Sequence, residues 1–345
     1  MAEFPPDELA AVAKFLAAAG ICDSPLTARP VGDGHSNLTF LVSDGQRDVV
    51  LRRPPPPPLP PGAHDVLREA TLIEALAGSP VPVPEVLATA AAGEVIDAPF
   101  FVMSFVPGPI ATTATPPALG SRMDRRQLGE ALIDTLAALH AVDWRAAGLA
   151  ELGRPEGFNA RHLRRMGRLV ADADGRLPAS FAELAGWLEA HVPPESGASI
   201  VHNDYRLGNL ILAPQPPARI AAVLDWELAT IGDPLFDLGY FLASYPAAGE
   251  PLTPTGEMGT AVLEPGYPRR EELADRYANA TGRDLSRLPW HVTMALWKLA
   301  VLYEYGRRRA AAGHGDSYYQ DPALVRSFLA AAERSATFTR PTPPR

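Results

Sequence analysis

The sequence contains very little cysteine and no excess of basic residues. Its 345 residues include one cysteine, Cys22, so neither an internal disulfide nor a multi-cysteine metal site can form. Such cysteine usage is typical of a reducing compartment, and we expect a cytoplasmic protein. The formal net charge is −9, which argues against nucleic acid as a partner because phosphate binding normally requires a basic patch or stripe.

We also expect no targeting or anchoring segment in this sequence. The first 20 residues, MAEFPPDELAAVAKFLAAAG, have no basic region before their apolar part, so they predict an amphipathic helix rather than a secretory signal. No uncharged apolar run approaches the length that a bilayer requires, and we expect no membrane partner. The chain has no 20 to 50 residue repeat and no G-x-x-x-x-G-K-[ST] motif, which disfavours a P-loop kinase.

The first third of the chain predicts a small sheet with one helix. Residues 29–53 are typical of a β-hairpin whose turn is Asp44-Gly45. The stretch PPPPPLPP, residues 54–61, predicts a stiff connector because proline fixes φ and has no amide donor. AHDVLREATLIEALAG then predicts a helix that ends at Gly78, and APFFVMSFVPG predicts a buried strand.

The rest of the chain predicts a larger and mainly helical domain. Leucines recur along one face of the helix predicted in RRQLGEALIDTLAALHAVDW. Residues 158–192 and 270–335 predict further helices, whereas residues 199–225 are rich in strand signals. We therefore predict an α+β fold with a small N-terminal antiparallel-sheet lobe, residues 1–106, and a larger helical C-terminal lobe, residues 107–345.

A polar cluster interrupts the apolar stretch VHNDYRLGNLIL, residues 201–212. It contains an H-x-D-x-x-x-x-N array formed by His202, Asp204 and Asn209, and the later apolar strand AAVLDWE carries Asp225 near its end. A few hard oxygen ligands suit Mg²⁺ that also binds substrate phosphates. The spacing matches the protein-kinase pattern, in which the loop Asp accepts the proton of the substrate hydroxyl while the Asn and the later Asp hold the metal.

Taken together, the motifs HNDYRLGNL, VLDWELATIGDPLFDLGYF and GHSNLTFLV resemble the aminoglycoside phosphotransferase and choline kinase family, which has a bilobal protein-kinase-like fold. LRRPP and AHDVLRE extend the resemblance to the branch whose domain can be fused to acyl-CoA dehydrogenases. The resemblance covers nearly the whole chain from about Arg29. It implies an ATP- and Mg²⁺-dependent kinase that phosphorylates a hydroxyl of a small molecule.

The resemblance also implies roles for individual residues of the C-terminal lobe and of the metal site. Asp204 matches the catalytic base, and His202 matches the residue that braces its loop. Asn209 and Asp225 match the magnesium ligands. Asp237, in GDPLFDLGY, matches the acid that supports the catalytic loop.

In the N-terminal lobe, the resemblance points to a nucleotide site. Glu69 matches the helix glutamate, and its ion-pair partner is expected in VVLRR, where Arg52 replaces the usual lysine and Arg53 follows. Arginine keeps the charge but differs from lysine in length and shape. The further nucleotide-binding candidates are Gly34, His35, Ser36, Asn37, Met103 and Phe105.

A helix rich in arginine suggests the chemical class of the acceptor substrate. ARHLRRMGRLV places arginines on one face at i, i+3, i+4 and i+7 spacing, namely Arg161, Arg164, Arg165 and Arg168. The pattern fits an anionic acceptor and a solvated helix face equally well. Together with the acyl-CoA dehydrogenase likeness, it favours a hydroxyacyl-CoA or similar anionic metabolite. Glu227 either assists at the metal or completes a surface pair.

Other functions stay open at this point. An antibiotic phosphotransferase of the aminoglycoside or macrolide type would have the same fold. A catalytically weak, nucleotide-binding pseudokinase module would also keep it; only Arg52 favours that interpretation, because the base and metal-ligand positions Asp204, Asn209 and Asp225 are all intact. A metal-dependent phosphohydrolase would use His202, Asp204 and Asp225, but two metals need more ligands, and the eight histidines do not cluster in the sequence.

Overall fold

The computed structural model describes residues 3–23, 25–32, 37–57, 64–313 and 315–337. The chain divides into two compact units. The first unit comprises residues 1–108 together with residues 221–227, and the second comprises residues 109–220 and 228–345. The segment 221–227 therefore belongs to the first unit although it lies far along the chain. The predicted lobes, residues 1–106 and 107–345 with their assigned roles, stay a prediction.

The first unit is built on a five-stranded antiparallel sheet. Its elements along the chain are α1 (Pro6–Ala18), β1 (Thr27–Pro30), β2 (Leu38–Ser43), β3 (Asp48–Arg53), α2 (Val66–Leu76), β4 (Val86–Ala90) and β5 (Phe100–Ser104). The strand order in the sheet is β1-β2-β3-β5-β4. Helix α2 begins where the Asp65 side chain accepts a hydrogen bond from the Arg68 amide at 3.0 Å.

The predicted hairpin forms between β2 and β3, with Phe40 opposite Leu51. Its turn is closed by Asp44, whose Oδ1 accepts hydrogen bonds from the amides of Gln46 and Arg47 at 2.8 and 2.7 Å. The prediction of a simple hairpin over residues 29–53 was incomplete, because β1 is a separate strand that pairs with β2. Strand β4 was not predicted, since VLATA is short and has only a weak apolar pattern.

Alternation along β3 sends neighbouring side chains to opposite faces of the sheet. Leu51 lies in the same apolar cluster as the buried face of α1, and on that side Arg53 forms an ion pair with Glu8 of α1. Arg52 forms an ion pair with Glu69 of α2 instead. The two adjacent arginines therefore form ion pairs with different helices, Arg52 with α2 and Arg53 with α1.

The second unit is mainly helical. Its elements are α3 (Arg122–Ala141), α4 (Phe158–Arg168), α5 (Ala179–Ala190), β6 (Ser199–Val201), β7 (Leu210–Leu212), β8 (Ile220–Val223), which continues into the first unit, β9 (Thr230–Gly232), α6 (Pro234–Ser244), α7 (Pro254–Glu257), α8 (Arg270–Thr281), α9 (Leu288–Ala311) and α10 (Pro322–Thr337). Strands β6 and β9 pair antiparallel. Among the helices that the structure describes, none is long and apolar enough to span a membrane.

The core of the second unit surrounds α9. Trp297 of α9 is fully buried in one cluster with Phe181 of α5, Phe236 of α6 and Phe328 of α10. The Trp297 indole donates a hydrogen bond to the Phe181 carbonyl at 3.3 Å, so the polar edge of the largest core side chain is satisfied. This core holds α6, which carries two of the site side chains described below.

Helices α6 and α9 approach each other closely at Gly239. Every residue of α6 is buried, and a Cβ atom at Gly239 would lie 2.7 Å from the carbonyl carbon of His291. That distance is shorter than real Cβ contacts allow. Glycine is therefore required for the helices to keep their present separation.

We predict that Gly239→Ala lowers the free energy of unfolding by about 1–3 kcal/mol, the range for overpacking a well-packed core. Gly186→Ala in α5 is the matched control, since a Cβ there meets nothing within 4 Å and alanine favours helix. Urea unfolding of both variants measures the effect. Equal stability of the two variants would contradict the close approach.

Candidate active site

The polar loop after β6 is held in place by the buried carboxylate of Asp237 in α6. Its Oδ2 accepts a hydrogen bond from the His202 amide at 2.6 Å, and its Oδ1 accepts one from the Asn203 amide at 2.8 Å. Asn203 has a φ of 68°, a left-handed conformation that asparagine adopts more readily than most residues. Two charge-assisted hydrogen bonds on successive amides therefore stabilise a sharp turn just before Asp204.

The carboxylate of Asp204 is surrounded by donors. Oδ1 accepts hydrogen bonds from the Tyr240 hydroxyl at 2.6 Å and from Arg206 Nε at 3.1 Å, and Oδ2 accepts one from Asn209 Nδ2 at 2.8 Å. The side chain is 16% exposed. The sequence-predicted pair of Asp204 and Asn209 is thus in direct contact. Three donors therefore fix the orientation of the carboxylate, whose two oxygens act as acceptors.

His202 and Asn209 both bond back onto the loop. The fully buried His202 accepts a hydrogen bond from the Asp204 amide at its Nδ1, at 3.2 Å. Asn209 Nδ2 also donates to the Asp204 carbonyl at 2.9 Å. Both hydrogen bonds from Asn209 to Asp204 use the side-chain nitrogen of Asn209 and not its side-chain oxygen.

Sequence reasoning missed Lys298 of α9. Lys298 is 3% exposed, and its Nζ donates a hydrogen bond to the Asn203 carbonyl at 2.8 Å. Burial lowers the pKa of Lys298 to about 8; the charges of Asp204 and Asp237 oppose this shift, and that of Arg165 adds to it. A single lysine inside the apolar stretch TMALWKLAVLY was an available signal, because lysine is rarely buried without a partner.

Tyr240 was also missed. Burial and the adjacent carboxylate of Asp204 hold the pKa of Tyr240 well above its ordinary value, so its hydroxyl stays protonated and donates. It lies one turn after Asp237 in α6, so both side chains face the loop. An Asp-x-x-Tyr pair in GDPLFDLGY carries no chemical signal without the fold.

In the first unit, Arg52 lies among three carboxylates. Its Nε is 3.0 Å from Glu69 Oε2, and its NH2 is 2.5 Å from Asp225 Oδ1 and 3.3 Å from Glu227 Oε2. Among the described residues, neither Arg52 Nε nor Glu69 Oε2 has a hydrogen-bond partner, so the Arg52–Glu69 contact is an ion pair without hydrogen-bond alignment. Burial opposes the Arg52 charge, but the three carboxylates outweigh it and raise the pKa of Arg52. Burial also raises the pKa of Glu69 to about 7 despite Arg52.

Glu227 connects this cluster to Asn37. Its Oε2 accepts a hydrogen bond from Asn37 Nδ2 at 2.9 Å, and Asn37 Oδ1 lies 3.0 Å from His64 Nδ1. Asn37 is 5% exposed. The other predicted members of the phosphate-covering turn, Gly34, His35 and Ser36, lie outside the described residues. Of the strand candidates, Met103 is buried in β5, and Phe105 follows it with 42% of its surface exposed.

The four arginines of α4 differ in their surroundings. Arg161 donates a hydrogen bond to the Arg154 carbonyl. Arg164, Arg165 and Arg168 are exposed, and Arg165 is close enough to Lys298 for its charge to affect the pKa of that group. The structure thus ties Arg161 to the backbone and leaves the others on the surface.

The donor chemistry fits a hard divalent cation. In the first unit, Asp225 presents a carboxylate that is 31% exposed. In the second unit, Asn209 presents an amide oxygen, and each of these oxygen types is by itself a ligand that suits Mg²⁺. Asp225 has a φ of 67°, and backbone strain of this kind is often found at functional positions. Within the described residues, no three His, Cys, Asp or Glu side chains come together as a metal-holding group.

A five-stranded antiparallel sheet with a glutamate-bearing helix, followed by a mainly helical unit with an H-x-D-x-x-x-x-N loop, defines a protein-kinase-like fold. Within this fold class, the chain belongs to the phosphotransferase enzyme family, whose sequence profile matches residues 27–290. The predicted fold class and family are confirmed.

Curated relatives include members of the acyl-CoA dehydrogenase family. Family member 11 of Gallus gallus is 40% identical over 222 residues, which cover 64% of this chain and 28% of that protein. Family member 10 of Mus musculus is 30% identical over 295 residues, which cover 85% of this chain and 27% of that protein. The chain therefore spans little more than a quarter of the length of these relatives.

Solved structures with the same fold are phosphotransferases. A protein from Ralstonia eutropha that is assigned to the aminoglycoside phosphotransferases is 27% identical, with a TM-score of 0.80 over 96% of this chain and 99% of that one. A thermostable mutant of the aminoglycoside phosphotransferase APH(4)-Ia, in a ternary complex with ADP and hygromycin B, is 16% identical, with a TM-score of 0.60 over 94% of this chain and 98% of that one. At 16% identity, the second likeness concerns the fold.

The lowered pKa of Lys298 predicts a pH-dependent stability difference from Lys298→Met. Because the folded pKa of about 8 lies below the ordinary value of 10.5, the folded state loses this proton first as the pH rises. The wild type should therefore gain about 1 kcal/mol of stability relative to the variant between pH 7 and pH 9.

Denaturant unfolding at a series of pH values measures this difference. Lys14→Met in α1 is the control, since Lys14 is exposed and its removal should give a difference that does not change with pH. A constant difference for Lys298→Met as well would contradict the assigned environment.

Proposed function

We propose that the protein transfers the γ-phosphoryl group of ATP to a hydroxyl of a small molecule, with Mg²⁺ as cofactor. The observation that carries this proposal is the Asp204 carboxylate, which Tyr240, Arg206 and Asn209 hold in one orientation. Such a preorganised base suits a reaction that consists mainly of positioning and charge stabilisation. Membership of the phosphotransferase enzyme family supports it, and the ADP bound to a structural neighbour supports a nucleotide donor.

In the proposed reaction, Asp204 orients the acceptor hydroxyl and takes its proton as the hydroxyl oxygen attacks the γ-phosphorus. The bond from the γ-phosphorus to the bridging oxygen breaks, and ADP leaves with that electron pair. Mg²⁺, held by Asn209 and Asp225, would offset the charge of the phosphate oxygens. His202 and Asp237 keep the loop that carries Asp204 in place.

Arg52 is proposed to bind the nucleotide phosphates. Its guanidinium is shared by Glu69, Asp225 and Glu227. Phosphate oxygens would replace part of these contacts, while Glu69 keeps the guanidinium in place. Asn37, with Gly34, His35, Ser36, Met103 and Phe105, completes the proposed nucleotide-binding set.

For the acceptor, we propose a hydroxyacyl-CoA or a similar anionic metabolite. The curated relatives are acyl-CoA dehydrogenase family members, and the exposed arginines of α4 offer charge to an anion, with Arg165 nearest to Lys298. The second candidate is an antibiotic of the aminoglycoside type. It is favoured by the likeness to the Ralstonia eutropha protein and by the hygromycin B complex of a structural neighbour.

The proposed function is tested by incubating the protein with ATP, Mg²⁺ and a panel of acceptors, and by following the gain of one phosphate by mass. The panel contains hydroxyacyl-CoA thioesters, the corresponding free hydroxy acids, aminoglycosides and macrolides. We expect phosphorylation of a hydroxyacyl-CoA. Transfer confined to the antibiotics would support the second candidate, and no transfer to any acceptor, with no ATP hydrolysis, would contradict the proposal.

Asp204→Asn should lower kcat by about 10²–10⁴-fold, because general-base catalysis contributes that much. The dissociation constant for ATP should stay within about threefold, since Asp204 is assigned to the acceptor and not to the nucleotide. Steady-state kinetics and calorimetry measure the two effects. Wild-type turnover in this variant would exclude Asp204 as the base.

Arg52→Ala should weaken Mg-ATP binding by about 10-fold to 100-fold, in the range of a lost charge-assisted contact. Arg52→Lys keeps the charge but loses the planar fork, so we expect intermediate binding. Arg53→Ala is the matched control, because Arg53 pairs with Glu8 on the other face of the sheet. Wild-type ATP affinity in both Arg52 variants would favour a binding module without this bridge.

A further inference from the structure

We propose that Lys298 is a positioning residue for phosphoryl transfer, whose ammonium group holds the Asn203-Asp204 segment in its reactive conformation. This inference rests on the proposed function, because it assigns a role in the step in which Asp204 acts. It concerns a side chain of α9 that lies outside the H-x-D-x-x-x-x-N array. The geometry that supports it involves the backbone of Asn203 and the ring of Tyr240.

The first contact is with the backbone immediately before Asp204. Asn203 has a left-handed backbone conformation, and hydrogen bonds hold both its amide and its carbonyl. Its amide donates to Asp237 at 2.8 Å, and its carbonyl accepts from Lys298 Nζ at 2.8 Å. Its side-chain nitrogen also donates to the Leu228 carbonyl at 2.9 Å. Lys298 is the cationic partner in this set, and its removal would leave a buried carbonyl without its donor.

The second contact is with the aromatic ring that reaches Asp204. Lys298 Nζ lies 4.9 Å from the centroid of the Tyr240 ring, and the hydroxyl of that ring donates to Asp204 at 2.6 Å. A second ring, that of Phe236, lies 5.1 Å from Nζ. A cation over the ring face makes the phenol a stronger hydrogen-bond donor, so Lys298 acts on the Asp204 carboxylate through Tyr240 as well as through the backbone.

The positive charge of Lys298 also requires an explanation, because the side chain is buried. An apolar side chain of similar size, such as methionine, would pack in this buried segment of α9 without the desolvation cost of an ammonium group. The charged groups that face Lys298 are Asp204 on the loop, Asp237 on α6 and Arg165 on α4. His162 of α4 is held neutral, because burial and the charges of Lys298 and Arg165 keep its pKa well below the ordinary value. Two anions against one cation keep the ammonium charged near neutral pH.

The test compares Lys298→Met and Lys298→Arg with the wild type, and Lys14→Met is the control for loss of a lysine outside the site. We expect Lys298→Met to lower kcat by at least about 30-fold while the KM for ATP stays within about threefold, since the base is displaced and the nucleotide contacts are not. Backbone amides in residues 201–210 should exchange hydrogen at least about tenfold faster. Lys14→Met should match the wild type in both measurements.

The pH profile of kcat separates a charged positioning group from a merely structural one. Wild-type kcat should fall above about pH 8 as Lys298 loses its proton. Arginine stays charged, so the alkaline fall of Lys298→Arg should move upward by at least about one pH unit. The same alkaline limb in the wild type and in Lys298→Arg would overturn the proposal.

Failure of this inference can be distinguished from failure of the proposed function. If the wild type transfers phosphate and Lys298→Met keeps wild-type kcat, the inference is overturned and the function stands. If the wild type is inactive with every acceptor, the function fails, and hydrogen exchange alone decides: unchanged exchange of residues 201–210 overturns the positioning role. If Lys298→Met does not fold, the pH profile of Lys298→Arg decides instead.

Discussion

The carboxylate of Asp237 accepts hydrogen bonds from two successive amides of the polar loop, and this interaction anchors the loop that carries Asp204. A buried carboxylate must be satisfied by hydrogen-bond donors. Because α6 is buried along its whole length, movement of the loop would take two amide donors away from a carboxylate in the core. The helix and the loop are therefore stable only together.

A comparable constraint acts in the first unit. One guanidinium, that of Arg52, faces the carboxylates of Glu69, Asp225 and Glu227. Burial, aided by the neighbouring carboxylates of Asp225 and Glu227, raises the pKa of Glu69 although Arg52 opposes the shift. Strand alternation directs Arg53 to the other face of the sheet, where it pairs with Glu8, so Arg52 is the arginine of β3 that serves this cluster.

The sequence was informative where residues close along the chain define the chemistry. The ordered motifs predicted the fold class and the family, and their spacing predicted Asp204 and Asn209 as a pair, which the structure places in contact. Tyr240 and Lys298 reach the loop from 36 and 95 residues further along the chain. No local pattern encodes such contacts, since they depend on the packing of α6 against α9. Similarly, strand alternation predicts that Arg52 and Arg53 lie on opposite faces of the sheet. It does not predict which of the two faces meets α2, because that depends on where α1 and α2 pack against the sheet.

Because Lys298 is buried, the protein exposes unusually few lysine amino groups to its surroundings. The chain has two lysines, and only Lys14 on α1 is exposed. Reagents that acylate lysine, and enzymes that attach acyl groups or small modifier proteins to it, therefore meet one exposed lysine side chain, that of Lys14. A dye or crosslinker directed at amines would mark a single helix, and the protein could be tethered or followed in a mixture without altering its buried ammonium.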